Sequence, residues 1–367
     1  MTLLDAAALA TFGARDRRLL RAIVRVLIDR SPAEDDQPLL PRAANESVVE
    51  WACRCRSPFA SGEQLRASVR AACAGGNASL RKAESSGIVP LPWGDDRYPP
   101  LLGAIPDPPV ILWIRGEPAH LTRPAIAIVG SRAATAYGLE MARRLAADLA
   151  AAGLVVVSGL ARGVDSAAHA GALAAGGATV AVLGCGADRV YPPEHADLAS
   201  SIRSAGALVT EFPPGSPPRQ HHFPLRNRII SGLAHAVVVV EAAEKSGALI
   251  TASAAAEQGR EVLVVPGPSI AGRNRGGHLL IRDGAKLVEC ADDILQEVGR
   301  PIRNALPASR MIDGLSDVVD FTVDELSERT GEAPSAVLAR LLELELSGQV
   351  QRVGGGRFVR SGGRVLP

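Results

Sequence analysis

Residues 125–132 are Ala-Ile-Ala-Ile-Val-Gly-Ser-Arg, a short apolar run that ends in a glycine, a hydroxyl and a guanidinium. Consecutive apolar positions are typical of a strand that is covered on both faces. Similar runs recur downstream, separated by amphipathic helical stretches. We predict strands at Ile126–Val129, Leu154–Val157, Thr179–Leu183, Ala207–Thr210, Val237–Glu241, Val262–Val265 and Lys286–Val288. This alternation predicts a doubly wound, Rossmann-like α/β core with a parallel sheet.

The sequence on each side of this core predicts a different kind of structure. Upstream, apolar spacing predicts helices at Leu3–Leu9, Arg18–Ile28, Glu46–Arg54 and Glu63–Ala72. Downstream, a helix, a second helix opened by Pro334 and a hairpin with a turn at Gly354-Gly355-Gly356 predict a winged helix-turn-helix. The predicted domains are a small helical domain (1–87), a proline-dense connector with the Rossmann-like domain (88–300), a linker (301–309) and a winged helix (310–367).

Glycines, hydroxyls and arginines follow four of the predicted strands. They are Gly130-Ser131-Arg132, the segment from Ser158 and Gly159 through Arg162 to Gly163, Gly184-Cys185-Gly186, and the segment from Ser246 and Gly247 to Thr251. In an open α/β sheet, ligands bind beyond the carboxyl ends of the strands. Backbone N–H groups and helix N-termini there can hold phosphate oxygens. The chain lacks Gly-x-Gly-x-x-Gly after the first strand and a Walker-type Gly-Lys-Ser/Thr, which disfavours dinucleotide cofactors and NTP hydrolysis.

A basic segment at residues 219–228 adds an aromatic ring to these phosphate-binding features. It carries Arg219, His222, Phe223, Arg226, Asn227 and Arg228, and no acid occurs between Glu211 and Glu241. Arginines can follow the phosphates of a single strand while a ring stacks on a base, a contact worth about 1–3 kcal/mol. The alternative is a solvated loop with Phe223 in the core.

Catalytic and metal-binding patterns are weak. No Ser/His/Asp set or metal-ligand spacing joins Asp165, His169, Asp188, His195 and the acids near strand ends. Asp165 is better explained as an acid at a helix start. The five cysteines form no Cys-x-x-Cys pair, and we expect buried thiols. The sequence therefore predicts no enzyme, metal or cofactor.

Charge and composition leave the partner open. The net charge is +1, and 37 arginines stand against three lysines. The excess of arginine over lysine fits phosphate recognition, because a guanidinium can donate two hydrogen bonds to one phosphate. A GC-rich genome also produces this excess. Charges near the N-terminus argue against a signal peptide, and no apolar run has the roughly 18 residues of a membrane helix. We expect a cytoplasmic protein.

Several motifs resemble the DNA-processing protein A (DprA/Smf) family. They include Val129-Gly130-Ser131-Arg132, Gly163-Val164-Asp165 with His169, Gly184-x-Gly186-x-Asp188-x-x-Tyr191-Pro192, Phe223-Pro224-x-Arg226-Asn227-Arg228, Ser246-Gly247-x-Leu249-Ile250-Thr251 and Val265-Pro266-Gly267. In the connector, Asp96 and Tyr98 precede Asp107-Pro108-Pro109 and Gly116. The resemblance covers roughly residues 90–298. It departs at His195 and His278, where an asparagine is expected.

The resemblance implies a non-catalytic core that binds and protects single-stranded DNA without reading sequence. It also implies a homodimer that helps to load a RecA-type recombinase during natural transformation and recombination. The family's pocket corresponds to Arg132 and to Phe223–Arg228 here. By analogy, we place the dimer interface around Leu279, Leu280 and Ile281.

The winged-helix segment resembles a domain that many members carry. Residues 310–345 hold three Arg against nine acids, whereas 346–367 hold four Arg and no acid. Ser335 and Arg340 are the only polar candidates of its second helix, and reading base edges needs several. We therefore favour a protein-contact role, with the basic wing as a phosphate contact.

Two other functions share the same strand-end features. One is a nucleotide-processing enzyme similar to phosphoribohydrolases, although Val265-Pro266-Gly267-Pro268 interrupts the glycine-rich loop of such enzymes. The other is an adaptor in which the Rossmann-like core is only a scaffold.

Overall fold

The computed structural model describes residues 2–12, 17–27, 42, 46–58, 60–269, 272–299, 320–330, 334–346, 350–353 and 357–360. The chain divides into two compact units, Met1–Arg300 and Pro301–Pro367. The predicted linker at 301–309 and the glycine turn at 354–356 lie outside the described residues. No helix in the described ranges is long and apolar enough to cross a membrane.

The larger unit is built on one mixed sheet. Its strands are β1 (Val89–Pro92), β2 (Ile111–Gly116), β3 (Ala125–Gly130), β4 (Val155–Ser158), β5 (Thr179–Val182), β6 (Ala207–Thr210), β7 (Ala236–Val240), β8 (Glu261–Val265) and β9 (Lys286–Leu287). Their order across the sheet is β1-β2-β6-β5-β4-β3-β7-β8-β9. Strands β3 to β9 pair in parallel, whereas β2 pairs antiparallel with both β1 and β6. The predicted doubly wound core is confirmed.

Helices cover both faces of the sheet, which explains the continuous apolar strands. The helices of the core are α5 (Pro100–Gly103), α6 (Ala136–Ala151), α7 (Val164–Ala174), α8 (Ala196–Ala205), α9 (His222–Gly232), α10 (Gly247–Glu257), α11 (Arg275–Arg282) and α12 (Ala291–Glu297). Along β3, Ala125, Ala127 and Val129 pack with α9 and α10, whereas Ile126 and Ile128 pack with α6, α7 and α12. Alternate residues of one strand thus serve two hydrophobic cores.

The connector contains two strands that the sequence analysis missed. β2 is almost wholly buried, with Ile111, Leu112, Trp113 and Ile114 at 1% exposure or less. β1 contains Pro90 and Pro92 and pairs only with β2, so it is an edge strand, where proline is tolerated. The prolines around these strands made the connector look irregular.

Among the residues that the structure describes, four helices precede the sheet: α1 (Leu3–Ala10), α2 (Arg17–Leu27), α3 (Val48–Arg56) and α4 (Gly62–Ser85). α4 runs well past its predicted end and across Gly75 and Gly76. A Cβ at Gly76 would lie 2.8 Å from the backbone nitrogen of Ala8, so glycine is what allows α1 to pack this closely. The helices share a core with Ile111 and Trp113 of β2, so the helical region and the sheet form one unit.

The smaller unit has the predicted order of elements. Helices α13 (Val323–Thr330) and α14 (Pro334–Leu346) precede an antiparallel pair, β10 (Val350–Val353) and β11 (Arg357–Arg360). Its core is formed by Phe321, Leu326, Val337, Leu341, Leu344, Val350 and Phe358. Arg357 of the wing pairs with Asp320 at 2.6 Å, so the basic wing is partly neutralised within its own unit. This arrangement is a winged helix.

The cysteines only partly match the expectation. Cys53, Cys55 and Cys185 are buried thiols, and burial raises the pKa of Cys53 and Cys185 to about 11. Cys73 is only half-buried and Cys290 is exposed, so the prediction that all five are buried is wrong for these two.

Candidate functional site

The sheet opens a crevice where its winding reverses. β3 lies between β4 and β7, and the chain is wound outward from it in both directions. The loops that follow these strands therefore diverge at one edge. They enclose a cleft of about 490 Å³. Eight of the predicted residues line it: Ser131, Arg132, Phe223, Arg226, Asn227, Ser246, Gly247 and Thr251.

The turn after β3 presents Arg132 to solvent. The Ser131 N–H donates to the Glu241 carbonyl at 2.8 Å, which ties this turn to the end of β7. The Glu241 carboxylate accepts hydrogen bonds from the backbone and hydroxyl of Thr135, the residue that caps α6. Arg132 is exposed, and no acid in the described part of the chain lies within ion-pair distance of it. Its charge is therefore available to a ligand.

An aromatic platform lies beneath this guanidinium. Cζ of Arg132 is 5.6 Å from the centroid of the Phe223 ring. The half-buried ring of Phe223 lies against Gly184, and its centroid is 5.4 Å from that of Tyr191, which is 44% exposed. A cation over a ring, with a second ring beside it, can bind a phosphate and a stacked base together.

Another part of the crevice wall is the start of α10. Ser246 caps this helix, with its hydroxyl accepting from the Ala248 N–H at 3.3 Å. Asn227 donates to the Gly247 carbonyl at 3.3 Å and so joins α9 to the same turn. The dipole of an 11-residue helix favours an anion near its N-terminus.

Several residues that line the crevice were not among the predicted site residues, and two of them have exposed long side chains. Lys245 and Ile250 are exposed at the mouth of the crevice, on the loop after β7 and the first turns of α10. The strand-end rule predicted this loop. The predicted site included its glycine and hydroxyl residues and left out Lys245 and Ile250.

Arg226 lines the crevice, but its guanidinium is already bound by other groups of the protein. It is 4% exposed and donates to the Gly159 carbonyl at 2.6 Å and to the Val182 carbonyl. Its Nη2 lies 3.9 Å from Oδ2 of Asp165. A Cβ at Gly159 would lie 2.0 Å from the guanidinium, so only glycine fits beneath it. Arg226 therefore fixes the loops after β4 and β5 in place.

Burial and ion pairing shift the pKa values of Asp165 and Arg226 in opposite directions. Asp165 lies in the first turn of α7, as predicted, and accepts from the Ala161 N–H at 3.3 Å. Burial raises the pKa of Asp165, and Arg226 opposes that shift. Burial likewise lowers the pKa of Arg226, against the attraction of Asp165.

Arg228 lies away from the crevice. Its guanidinium contacts Glu211 at 2.6 Å and Asp107 at 3.2 Å. The segment has no acid between Glu211 and Glu241, but the fold brings acidic partners to two of its arginines. Asp165 and Asp107 are far away in sequence, and Glu211 is 17 positions from Arg228. Arg219, which is exposed, has no acidic partner among the described residues.

Four more predicted residues also lie outside the crevice lining. Ser158 is buried and donates to the Ile128 carbonyl at 2.6 Å, joining β4 to β3. Gly159 lies under Arg226. Arg162 is exposed but pairs with Glu194 at 2.5 Å. His222 is buried, stacks on Phe212 and contacts the Gly184 carbonyl at 3.0 Å.

The two histidines that depart from the family pattern each contact a backbone carbonyl. His195 Nδ1 lies 3.0 Å from the Leu160 carbonyl, and His278 Nε2 lies 3.0 Å from the Gly267 carbonyl. Within the described ranges, no group of three His, Cys, Asp or Glu could hold a metal ion.

Comparison with known proteins agrees with this architecture. The family model for DNA recombination-mediator protein A matches residues 90–299, and that for the DprA winged helix domain matches 317–356. Protein Smf of Escherichia coli is 42% identical over 74% of this chain and 76% of its own length. The X-ray structure of DNA processing protein A from Streptococcus pneumoniae is 34% identical, with a TM-score of 0.67 over 81% of this chain and 98% of that one.

A second solved structure is described by its single-stranded DNA binding mode. This DNA processing protein A, from Helicobacter pylori, is 28% identical, with a TM-score of 0.51 over 55% of this chain and 92% of that one. The family model spans more than half of the chain, and the order of motifs and the fold agree with it. The chain belongs to the DNA-processing protein A (DprA/Smf) family.

Proposed function

We propose that the crevice between β3, β4 and β7 binds single-stranded DNA without reading its sequence. The observation that carries this proposal is the guanidinium of Arg132 over the ring of Phe223, in a crevice that the N-terminus of α10 also lines. Guanidinium and helix N-terminus suit phosphates, and a ring face suits any base. The Helicobacter pylori relative, whose structure concerns single-stranded DNA binding, supports the proposal.

A non-catalytic role is part of this proposal. The acids near the crevice already have partners: Asp165 faces Arg226, and Glu241 accepts from Thr135. His169 is fully buried, and its Nδ1 contacts the Thr179 hydroxyl at 2.7 Å. These groups are poorly placed to activate water against a bound nucleotide, which weighs against a phosphoribohydrolase-like activity.

Three finer features extend the proposal. Bound DNA is protected and passed to a RecA-type recombinase, the protein acts as a homodimer, and it works in the cytoplasm during transformation or recombination. The description of the family as recombination mediators supports the recombinase partner. A test is the rate at which such a recombinase assembles on DNA coated with single-strand-binding protein. Addition of this chain should raise the rate, and an unchanged rate would contradict the loading role.

One titration separates binding from nucleotide processing. Labelled oligo-dT and nucleoside monophosphates are added in parallel, with anisotropy reporting binding and chromatography reporting a released base. The expected result is oligo-dT binding without product. Release of a base from a monophosphate, without oligo-dT binding, would overturn the proposed function in favour of the enzyme.

A further inference from the structure

A second groove lies beside the crevice, between the helical region and the loop that leads into α9. Its volume is about 580 Å³, larger than that of the crevice. Phe12, which follows α1, lies in its wall together with Arg56 of α3 and Ser79 of α4. The loop contributes Arg219 and His221. The groove lies wholly within the larger unit.

The groove is basic and carries ring faces. None of the described residues that line it is acidic, whereas Arg56 and Arg219 contribute two guanidiniums. Arg56 lies over the ring of Phe12, with Cζ 5.2 Å from its centroid. On the loop side, Phe212 and His222 stack with their centroids 3.9 Å apart. Phe12, Phe212 and His222 are buried, so His221 is the ring of this wall that is exposed beside the cations. Cations beside an exposed ring suit a chain of phosphates and bases, whereas an acidic peptide needs only the cations.

The groove and the crevice share one short segment. His221 and His222 line the groove, and Phe223 and Pro224 line the crevice. Consecutive Cα atoms are about 3.8 Å apart, so the two sites lie on neighbouring sides of this segment. A strand that leaves the Phe223 platform on the side of Arg219 therefore meets the groove next.

We infer that the groove is a second subsite, which holds nucleotides of the same DNA strand beyond those in the crevice. The inference rests on the proposed function of the crevice. The helical region thereby lengthens the bound stretch of DNA, with Arg219 as a phosphate contact and the exposed ring of His221 as a surface for a base.

The test compares a short with a long oligo-dT, of roughly six and roughly fifteen nucleotides, within the range of site sizes for single-strand binders. Two variants alter the groove: Arg219→Glu reverses an exposed charge, and Ser79→Trp fills the groove without changing charge. Arg66→Glu is the matched control, because Arg66 is exposed on α4 and does not line the groove. Each protein is titrated by anisotropy over a salt series.

Both groove variants should bind the long oligonucleotide about five- to tenfold more weakly, the loss expected from one base or phosphate contact. For Arg219→Glu the log–log salt slope should also flatten by about 0.7. Binding of the short oligonucleotide, and both affinities of Arg66→Glu, should match the wild type.

The failures are distinguishable. Equal losses on both lengths would place Arg219 in the crevice and overturn the subsite. Unchanged binding of both lengths would overturn it as well, while the crevice function stands. Polyglutamate, titrated in parallel, serves as a model acidic peptide. If the groove variants lose polyglutamate binding but keep DNA binding, the groove is a protein-docking site instead. If the wild type binds neither length, the proposed function of the crevice itself fails.

Discussion

The guanidinium of Arg132 lies over the ring of Phe223, with 5.6 Å between Cζ and the ring centroid. The two residues come from different elements, Arg132 from the loop after β3 and Phe223 from the first turn of α9. The fold thus places a cation and a stacking surface together at the mouth of the crevice. This pairing leads to a direct prediction for each partner.

Replacing Phe223 with leucine should weaken oligo-dT binding. The variant keeps an apolar side chain against Gly184 but removes the ring face, whose stacking is worth about 1–3 kcal/mol, or roughly five- to 150-fold in affinity. Phe223→Tyr, which keeps the ring, should bind as the wild type does. Anisotropy titrations check this. Equal affinities for the leucine and tyrosine variants would show that no base stacks on this residue.

Arg226 should matter first for stability. Arg226→Met leaves Asp165 buried without its cation and removes two hydrogen bonds to carbonyls, and breaking a buried pair costs about 3–5 kcal/mol. Arg162→Met is the matched control. It breaks the exposed pair with Glu194, and such exposed pairs contribute about 0–1 kcal/mol. Urea unfolding should separate the two variants clearly. An Arg226→Met protein of normal stability that no longer binds oligo-dT would instead make Arg226 a direct ligand contact.

His169 should make the larger unit sensitive to acid. The Thr179 hydroxyl donates to the Val156 carbonyl, so it accepts from His169 Nδ1–H and leaves Nε2 unprotonated. Burial lowers the pKa of His169 to about 3, and Arg226 adds to the shift. The unfolded chain binds a proton below about pH 6.5 that the folded chain does not bind, so stability falls as the pH drops.

This loss is at most about 1.4 kcal/mol per pH unit for one group. His169→Asn keeps a donor near the Nδ1 position and cannot titrate, so its stability should fall less steeply between about pH 6.5 and pH 5. Urea unfolding at several pH values measures both slopes. Parallel slopes for the wild type and the variant would show that His169 is not the group responsible.

The proposed dimer interface is best tested at Leu279. Leu280 and Ile281 pack against the hydrophobic core of the sheet, whereas Leu279 on the same helix is half-buried outside that cluster. Leu279→Glu should therefore give a folded monomer, and Leu280→Glu should lower the melting temperature. Light scattering and thermal melts distinguish these outcomes. A Leu279→Glu protein that remains dimeric would contradict an interface at this helix.

Sequence alone predicted the architecture where local pattern decides structure. The seven parallel strands were predicted within one or two residues. Most of them are apolar runs because helices cover both faces of the sheet, whereas β9 is a short, exposed strand. β1 and β2 were missed because prolines surround them and β1 pairs on one side only.

The candidate site was predicted less completely, because charge partners are a property of the fold. Arg228 pairs with Asp107, which is 121 positions away, and nothing in the local sequence signals that contact. The strand-end rule predicted that Ser131 and Arg132 lie at the ligand crevice, because it depends only on topology. The resemblance to the family added Phe223 to the same pocket. Tyr191 became part of the platform through tertiary packing alone.

The central claim, that Arg132 contacts a DNA phosphate in this crevice, is tested most directly by Arg132→Glu in an oligo-dT salt series. Arg144→Glu is the matched control, since Arg144 is exposed on α6 and does not line the crevice. The variant should bind much more weakly, and its log–log salt slope should flatten by about 0.7 for the one lost contact with a single strand. Its melting temperature should match that of the control, because an exposed side chain at the crevice mouth supports no core packing. Binding equal to the control, or a fall in melting temperature large enough to explain the loss, would contradict the account.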